Sequence, residues 1–417
     1  MIPNIKVAEG IWGEIFAIIT YEVLKYWGIL NCLDNLKIPF FCCKKYEKGI
    51  NIMEERKPMI YMNRELSWLK FNERVLDEAG NPKVPLAERL SFISIYQSNL
   101  DEFYRVRMGS LMDQLGASHT IRENKPYLSS KEQIDAILKK TKQLDQKKSL
   151  IYEQLMGELE PEGVRIINFN KLSEKERIEL EKYFDHEIAP YLSANIISKQ
   201  QPFPFMKNRD IYAVAQLESI KGKQKLAVVP CSQNIFPRLI SIPTREGTFM
   251  LSEQLILYFM PKIFKKYTVK EKSLVRVIRS ADIDTECQYD EYLEYRENME
   301  QLIKQRKRMN PVKLELSNYL SKKMVHTLCK EIHIDKHHVF LSTVPLDVSF
   351  VFTLQSYLKE KNCESLFYQR RSPRMTIQLD TKKNIMPQIL EKDVLLSYPF
   401  ESIKPFINLK TIKRSCK

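Results

Sequence analysis

The chain has 417 residues, enough for roughly two or three domains, and its contents of 44% hydrophobic and 28% charged residues are ordinary for a globular protein. It contains 11 glycines and no GxGxxG, GxxxxGKS or GxxxxGKT pattern, which excludes the glycine-rich dinucleotide and P-loop phosphate sites. The net charge of +14 indicates a polyanionic partner or a solvated basic surface, and no zinc finger or aromatic RNA-binding motif favours nucleic acid.

Two features argue against secretion and membrane insertion. The apolar run 11–30 carries Glu14, Glu22 and Lys25, and it lacks a basic leader and a small-residue cleavage site. A helix with these charges within about 20 residues is a poor membrane span. The 8 cysteines contain no CxxC pair, which indicates reduced core thiols rather than a disulfide scaffold or a zinc site. We therefore expect no signal peptide and no transmembrane segment.

Residues 63–160 show the periodicity of helices. One apolar stripe ends at Asn81-Pro82, and a second stripe covers 86–96. A third helix is expected to begin near Asn99. The pair Ser129-x-x-Glu132 has the spacing of a capping box, which predicts the start of a long helix. The first domain is therefore predicted to be all helical.

The pattern changes after residue 163, where short alternating runs and helical runs follow one another. This pattern is typical of a mixed α/β domain, which we expect to end near 344. Strands are predicted at 211–217, 225–229 and 274–279, and helices at 252–264 and 289–308. Further strands are predicted at 348–354, 374–379 and 392–400, and they indicate the beginning of a third domain.

Three motifs carry a resemblance to a known family. They read RELSWLKFNERVL at 64–76, SNLDEFYRVRM at 98–108 and DVLLSYPF at 393–400. In sequence and in order, these motifs resemble segments of the bacterial polyphosphate kinases. The resemblance covers about 63–408 and is strongest at 63–108 and 391–407.

The resemblance implies a multidomain α+β fold. A helical N-terminal domain would cover 53–162, a mixed α/β middle (head) domain 163–344, and the start of a phospholipase-D-like α/β domain 345–408. Residues 1–52 match no part of the family and are expected to be an N-terminal extension. The basic segment 409–417 diverges from the family, and we expect it to be the tail of a truncated chain.

The resemblance also implies an activity. The family transfers the γ-phosphoryl group of ATP reversibly to inorganic polyphosphate through a phosphohistidine, with Mg²⁺. ATP, ADP and polyphosphate would therefore be the ligands, and we expect no nucleic-acid partner. A homo-oligomer that pairs through the head domain is also implied, as is a cytoplasmic location, either free or peripheral to the inner membrane.

The catalytic residues of the family are expected outside this sequence. The family's catalytic histidines and magnesium-binding arginines lie beyond the DVLLSYPF motif, whereas the last of the 6 histidines here is His338. We therefore assign no catalytic residue and no metal ligand, and we expect His337-His338 at the surface. The chain alone is expected to be inactive. The alternative function is a non-catalytic fragment that binds anions or assembles with a complete enzyme.

Asn99 is the candidate for nucleotide binding. By spacing it is a good helix N-cap, with Glu102 completing a capping box. The resemblance implies a nucleotide contact, because the Asn of this motif contacts the nucleotide in the family. An amide offers donors and an acceptor without charge, so the two roles are compatible. Asp101 and Glu102 are expected to stabilise the first turn of that helix rather than to form an acid–base pair.

Arginines near two of the motifs are candidates for phosphate contacts, because a guanidinium group matches the geometry of phosphate oxygens. These candidates are Arg105, Arg107, Arg370 and Arg371. For the first two, the alternative is a salt bridge to Glu73 or Asp101. For the other two, the alternative is a solvated basic surface.

Overall fold

The computed structural model describes residues 61–116, 128–231, 235–280, 309–369, 371–380, 383, 385–397 and 400–402. The chain forms two compact units, one of Ile52–Phe367 and one of Met1–Asn51 with Tyr368–Lys417. The first unit contains a helical part followed by a mixed part of sheet and helices, which confirms the predicted α+β class. Within the described residues, no helix is both long enough and apolar enough to cross a membrane.

The helical part contains four α-helices among the residues that the structure describes, and two of them begin at side-chain caps. Its helices are α1 (Arg64–Gly80), α2 (Leu86–Phe103), α3 (Gly109–Gly116) and α4 (Ser130–Leu159). The side chain of Asn63 caps α1 by accepting a hydrogen bond from the Leu66 amide at 3.0 Å. The predicted capping box is confirmed at the start of α4, where Ser129 and Glu132 each accept a hydrogen bond from the other's backbone amide.

The predicted third helix does not begin at Asn99. This residue lies inside α2, which continues into a π turn (Tyr104–Met108) and then into α3. The apolar stripe of α2 does not break here, since Tyr96, Leu100 and Phe103 are all buried. The predicted N-cap role of Asn99 is therefore wrong. Burial of several large side chains outweighs a capping preference of about 1 kcal/mol.

The mixed part contains two sheets. Its described strands are β1 (Arg165–Ile166), β2 (Asn195–Ile196), β3 (Ile211–Ser219), β4 (Gln224–Pro230), β5 (Leu239–Ser241), β6 (Thr248–Leu251), β7 (Tyr267–Arg279), β8 (Pro311–Leu316) and β9 (Val339–Leu341). The larger sheet has the order β2-β4-β3-β7-β8-β9, and only its β8–β9 pair is parallel. The smaller sheet has the order β1-β6-β5. The predicted strands at 211–217, 225–229 and 274–279 are confirmed in β3, β4 and β7.

The larger sheet is covered on both faces. The helices of the mixed part are α5 (Glu174–Tyr183), α6 (Ser252–Tyr258), α7 (Met260–Ile263), α8 (Lys322–Ile332) and α9 (Val351–Glu360). Side chains alternate along β3, so Ala213 and Ala215 enter a core with α5, α6 and α7, whereas Tyr212 and Val214 enter a core with α8. The helix predicted at 252–264 is confirmed, as α6 followed by α7.

The strands predicted after residue 345 are wrong within the described residues. Segment 348–354 leads into α9, because Val351, Leu354 and Leu358 have helical spacing and are buried. Segment 374–379 forms an isolated bridge at Arg374 instead of a strand, and 392–397 forms no strand. An alternating pattern makes a strand only where a partner strand pairs with it. The second unit contains α10 (Ile385–Glu391), and the helix predicted at 289–308 lies outside the described residues.

A glycine allows α3 to approach the end of β7 closely. A Cβ atom added at Gly109 would lie 2.7 Å from the Cβ of Ser280. Ser280 cannot move away easily, since its amide donates to the Asn310 carbonyl at 2.8 Å and its hydroxyl accepts from the Asn310 amide at 3.1 Å. The contact between the helical part and the sheet therefore requires glycine at this position.

We predict that Gly109→Ala lowers the free energy of unfolding by about 1–3 kcal/mol through this clash, as measured by urea denaturation. The matched control is Gly157→Ala inside α4, where an added Cβ meets no atom within 4 Å. That control should raise the free energy of unfolding by about 0.5–1 kcal/mol through helix propensity. A gain in stability for both variants would contradict the close approach.

Candidate functional site

The candidate nucleotide contact is held in place near the end of α2. Asn99 is half buried, and its Nδ2 donates to the Oδ1 of Asn72 at 3.2 Å. Asn72 is fully buried on α1 and donates to the Tyr96 carbonyl oxygen at 3.0 Å. This chain of hydrogen bonds fixes the orientation of the Asn99 amide. Its Oδ1 has no hydrogen-bond partner among the described residues, so it can accept a hydrogen bond from a ligand.

Arg105 and Arg107 lie in the π turn that follows Asn99. A π turn inserts extra backbone into a helix and is frequent at functional sites. Both side chains are half buried. The Nη1 of Arg105 lies 3.5 Å from the Oε2 of Glu102, whereas Arg107 has no ion pair or hydrogen bond within the described part of the chain. The guanidinium group of Arg107 is therefore available to an anion.

The salt bridges that the sequence suggested for these arginines are wrong. Glu73 pairs with two lysines of α4 instead, at 2.7 Å from Lys140 and 3.2 Å from Lys147. Asp101 pairs with Arg276 of the sheet. The partners of both acids lie on elements that are distant in sequence. The spacing of residues along one helix therefore cannot predict these salt bridges.

The remaining sequence candidates lie elsewhere. Arg370 is outside the described residues, and Arg371 is an exposed residue of the second unit. The phosphate role of both stays a prediction. His337 is exposed as expected, but His338 is buried, and its Nδ1 lies 2.9 Å from the Val312 carbonyl oxygen. The predicted surface position of His338 is wrong, because its ring packs beside β8 and bonds to that strand.

The sequence analysis did not predict a buried ion network that joins α2, near Asn99, to strands β7 and β8. The guanidinium group of Arg276 on β7 contacts both oxygens of Asp101 on α2, and its Nη1 lies 2.9 Å from the Oε2 of Glu315 on β8. Glu315 also accepts from Lys313 at 2.8 Å. All four side chains are buried. The signal in the sequence was a charged residue between apolar neighbours in the predicted strand 274–279.

The members of this network keep each other charged. Burial lowers the pKa of the Lys313 ammonium group, but the Asp145 and Glu315 carboxylates raise it above its ordinary value. Burial raises the pKa of Glu315, but Lys313 and Arg276 lower it by more, so it lies below the usual range of a glutamate. Asp101 is therefore not a helix-capping acid as expected, since it belongs to this network and joins α2 to the sheet.

The described carboxylates do not form a metal site. No group of three or more His, Cys, Asp and Glu residues within the described residues could hold a metal ion. Near Asn99, Asp101 is occupied by Arg276, and Glu102 is occupied by Arg209 at 3.1 Å. The groups that remain near this end of α2 are the amide of Asn99 and the guanidinium groups of Arg105 and Arg107. An amide can bind a neutral group of a ligand, and a guanidinium group can bind an anionic one.

We predict that Arg276→Met lowers the free energy of unfolding by about 3–5 kcal/mol, because it removes the bidentate cation of the buried Asp101 carboxylate and leaves Glu315 with Lys313 alone. The measurement is urea denaturation at neutral pH. The control is Arg165→Met, which removes a guanidinium group that is 56% exposed and pairs with the exposed Glu160. The control substitution should lower the free energy of unfolding by less than about 1 kcal/mol. Equal losses for the two variants would show that burial of the network has no special effect.

Comparisons with known proteins agree with the motifs. The model of the polyphosphate kinase N-terminal domain matches residues 61–167, and the model of the polyphosphate kinase middle domain matches 175–354. Polyphosphate kinase of Halalkalibacterium halodurans is 36% identical over 358 residues, which are 84% of this chain and 50% of that protein. Polyphosphate kinase of Bacillus cereus is 33% identical over 361 residues, with the same coverage of 84% and 50%.

The fold is also similar to a solved structure. The crystal structure of polyphosphate kinase from Porphyromonas gingivalis matches with a TM-score of 0.63 at 21% identity, over 84% of this chain and 48% of that chain. The chain thus spans about half the length of the relatives that it matches, with 50% of each of the first two covered. Both domain models and these relatives confirm the family that the motifs suggested, and the chain belongs to the polyphosphate kinase family.

Proposed function

We propose that this chain supplies the helical and middle domains of an enzyme that transfers the γ-phosphoryl group of ATP to inorganic polyphosphate. Family membership supports the reaction. The observations that carry the local part of the proposal are the fixed amide of Asn99, whose Oδ1 is free to accept a hydrogen bond, and the unpaired guanidinium group of Arg107, which lies about two turns further along the same helical run. In this proposal the chain holds the nucleotide, and a histidine outside it accepts the phosphoryl group.

The chemistry of phosphoryl transfer is compatible with one part of an enzyme that binds the nucleotide and another part that accepts the phosphoryl group. Phosphoryl transfer depends mainly on positioning and on electrostatic stabilisation of the transferring oxygens. Asn99 would bind an uncharged part of the nucleotide, while Arg107 and Arg105 would bind phosphate oxygens. Because Asn72 already fixes the Asn99 amide, ligand binding would order few side chains, and this lowers the entropic cost of binding.

The positive charge of the chain supports a polyanionic substrate. A net charge of +14 would attract both ATP and polyphosphate, and Arg370 and Arg371 would add to this attraction. Mg²⁺ would arrive bound to the nucleotide, since magnesium in such sites is held largely by phosphate oxygens and water. A homo-oligomer formed through the middle domain and a cytoplasmic location belong to the same proposal.

The alternative is a non-catalytic module that binds anions or assembles with a complete enzyme. The same basic charge favours this alternative, because a charge of +14 can bind polyphosphate without any nucleotide site. Nucleotide binding separates the two functions. A nucleotide site gives saturable binding that depends on Asn99, whereas a basic surface gives binding that depends on salt alone.

We predict that Asn99→Ala weakens binding of Mg·ATP to this chain about twofold to tenfold, which is the net value of one hydrogen bond. The measurement is isothermal titration calorimetry at fixed ionic strength. Ser98→Ala, at the exposed neighbouring position of α2, is the matched control and should bind with unchanged affinity. Equal affinity of the Asn99→Ala variant and the unaltered chain would favour the basic-surface alternative.

We also predict that the 417-residue chain forms no acid-labile phosphoprotein with γ-labelled ATP and Mg²⁺, because none of its 6 histidines matches a catalytic position of the family. The measurement is retention of label after alkaline and acid washes. The positive control is a full-length polyphosphate kinase treated in the same way. Stable alkaline-resistant, acid-labile labelling of this chain would contradict the division of roles, and one of its histidines would then be a nucleophile.

A further inference from the structure

A cluster of buried oxygens lies between the helical part and the sheet. The Oη atoms of Tyr96 and Tyr104, the Oγ1 of Thr141 and the Oδ1 of Asp145 are buried, and none has a hydrogen-bond partner among the described residues. Tyr96, Tyr104 and Thr141 are each 0% exposed. Buried polar atoms in folded proteins are nearly always paired with protein or with ordered water. These buried oxygens therefore require partners that the described residues do not supply.

Three of these residues are linked to one region of the interior through α4 and Lys313. Thr141 and Asp145 lie four residues apart on α4, so their side chains share a face of that helix. The Nζ of Lys313 on β8 connects the two sides, at 3.8 Å from the Oδ2 of Asp145 and 5.2 Å from the centroid of the Tyr104 ring. Tyr104 begins the π turn, and Tyr96 lies eight residues earlier on α2, where the charge of Asp145 still acts on its phenol.

The electrostatics of the phenols agree with this placement. Burial raises the pKa of both Tyr96 and Tyr104, and the charge of Asp145 raises both further. Lys313 and then the Thr141 hydroxyl act in the opposite direction on Tyr104, so these groups lie near its Oη, although no described atom has the geometry of a hydrogen bond to it. The Tyr104 and Thr141 hydroxyls are therefore close to each other, although their arrangement does not have the geometry of a hydrogen bond.

The charges around the cluster exclude an ionic ligand. The cations are Lys313, Arg276 and Lys148, and the anions are Asp145, Glu315 and Asp101. Because the two sets balance, an added cation would be repelled by Lys313 and an added anion by Asp145. The ligand must be neutral and small, and it must both accept from hydroxyl groups and donate to a carboxylate. Water meets these conditions.

We propose that this cluster is a binding site for internal water, which links α2 and α4 of the helical part to β8 of the sheet. Each water would accept from a tyrosine or threonine hydroxyl and donate to the Oδ1 of Asp145. Buried waters typically make about three hydrogen bonds of this kind. The junction between the two parts of the first unit is therefore held by bound water as well as by the Arg276 network.

The direct test is a crystal structure of the 417-residue chain at a resolution that shows ordered water. The expected result is a solvent peak within about 2.6–3.2 Å of at least two of the four oxygens. Crystals soaked in rubidium chloride identify the species, since a bound cation gives an anomalous signal and water gives none. A peak without anomalous signal supports the proposal. An anomalous peak, or no density between the four oxygens, overturns it.

A solution test uses variants that remove one hydroxyl and preserve shape, Tyr96→Phe and Thr141→Val, because the Tyr104 hydroxyl lies close enough to Thr141 to couple with it directly. If water is bound, each variant removes one of its partners and lowers the urea midpoint, and a shared water makes the double variant lose less than the sum. If the cluster is dry, each variant removes an unpaired buried oxygen and raises the midpoint, which overturns the proposal. Tyr152→Phe, a buried phenol of α4 outside the cluster, is the control and should change the midpoint little.

Discussion

The helical part and the sheet are joined at the guanidinium group of Arg276. This group contacts Asp101 on α2 and Glu315 on β8, and all three side chains are buried. A buried ion pair adds little net stability, because desolvation offsets the attraction, but the loss of one member leaves a charge unpaired. The pair therefore selects one position of α2 on the sheet. The π turn and Asn99 take their positions from that placement.

The same helix is enclosed by the end of the middle domain. On α2, the Nε2 of Gln97 donates to the Leu346 carbonyl at 2.6 Å, and its Oε1 accepts from the Val348 amide at 3.3 Å. On α9, the Nε2 of Gln355 donates to the hydroxyl of Ser91 at 2.5 Å. These bonds come from residues far along the chain, so α2 is not a separate surface element. The segments matched by two domain models therefore form one compact unit.

The nucleotide site proposed here differs from sites that are built on glycine-rich loops. Glycine-rich loops bind phosphate through free backbone amides at a helix N-terminus. Asn99 and Arg107 lie instead inside a helical run that continues through the π turn, where backbone amides are used by the helix itself. Side chains must then supply the donors, and the conformation of each side chain must be fixed by its neighbours. Asn72 does this for Asn99.

The helical character of 64–80 and 86–96, the capping box of α4 and three strands were determined by the sequence alone, because periodicity and capping act within a few residues. The three motifs also determined the family. The tertiary structure alone decided that Asn99 lies inside a helix, that 348–354 leads into α9, and that His338 is buried. It also brought together Asp101 and Arg276, which are 175 residues apart. Such contacts depend on which faces of distant elements meet, and no local pattern contains that information.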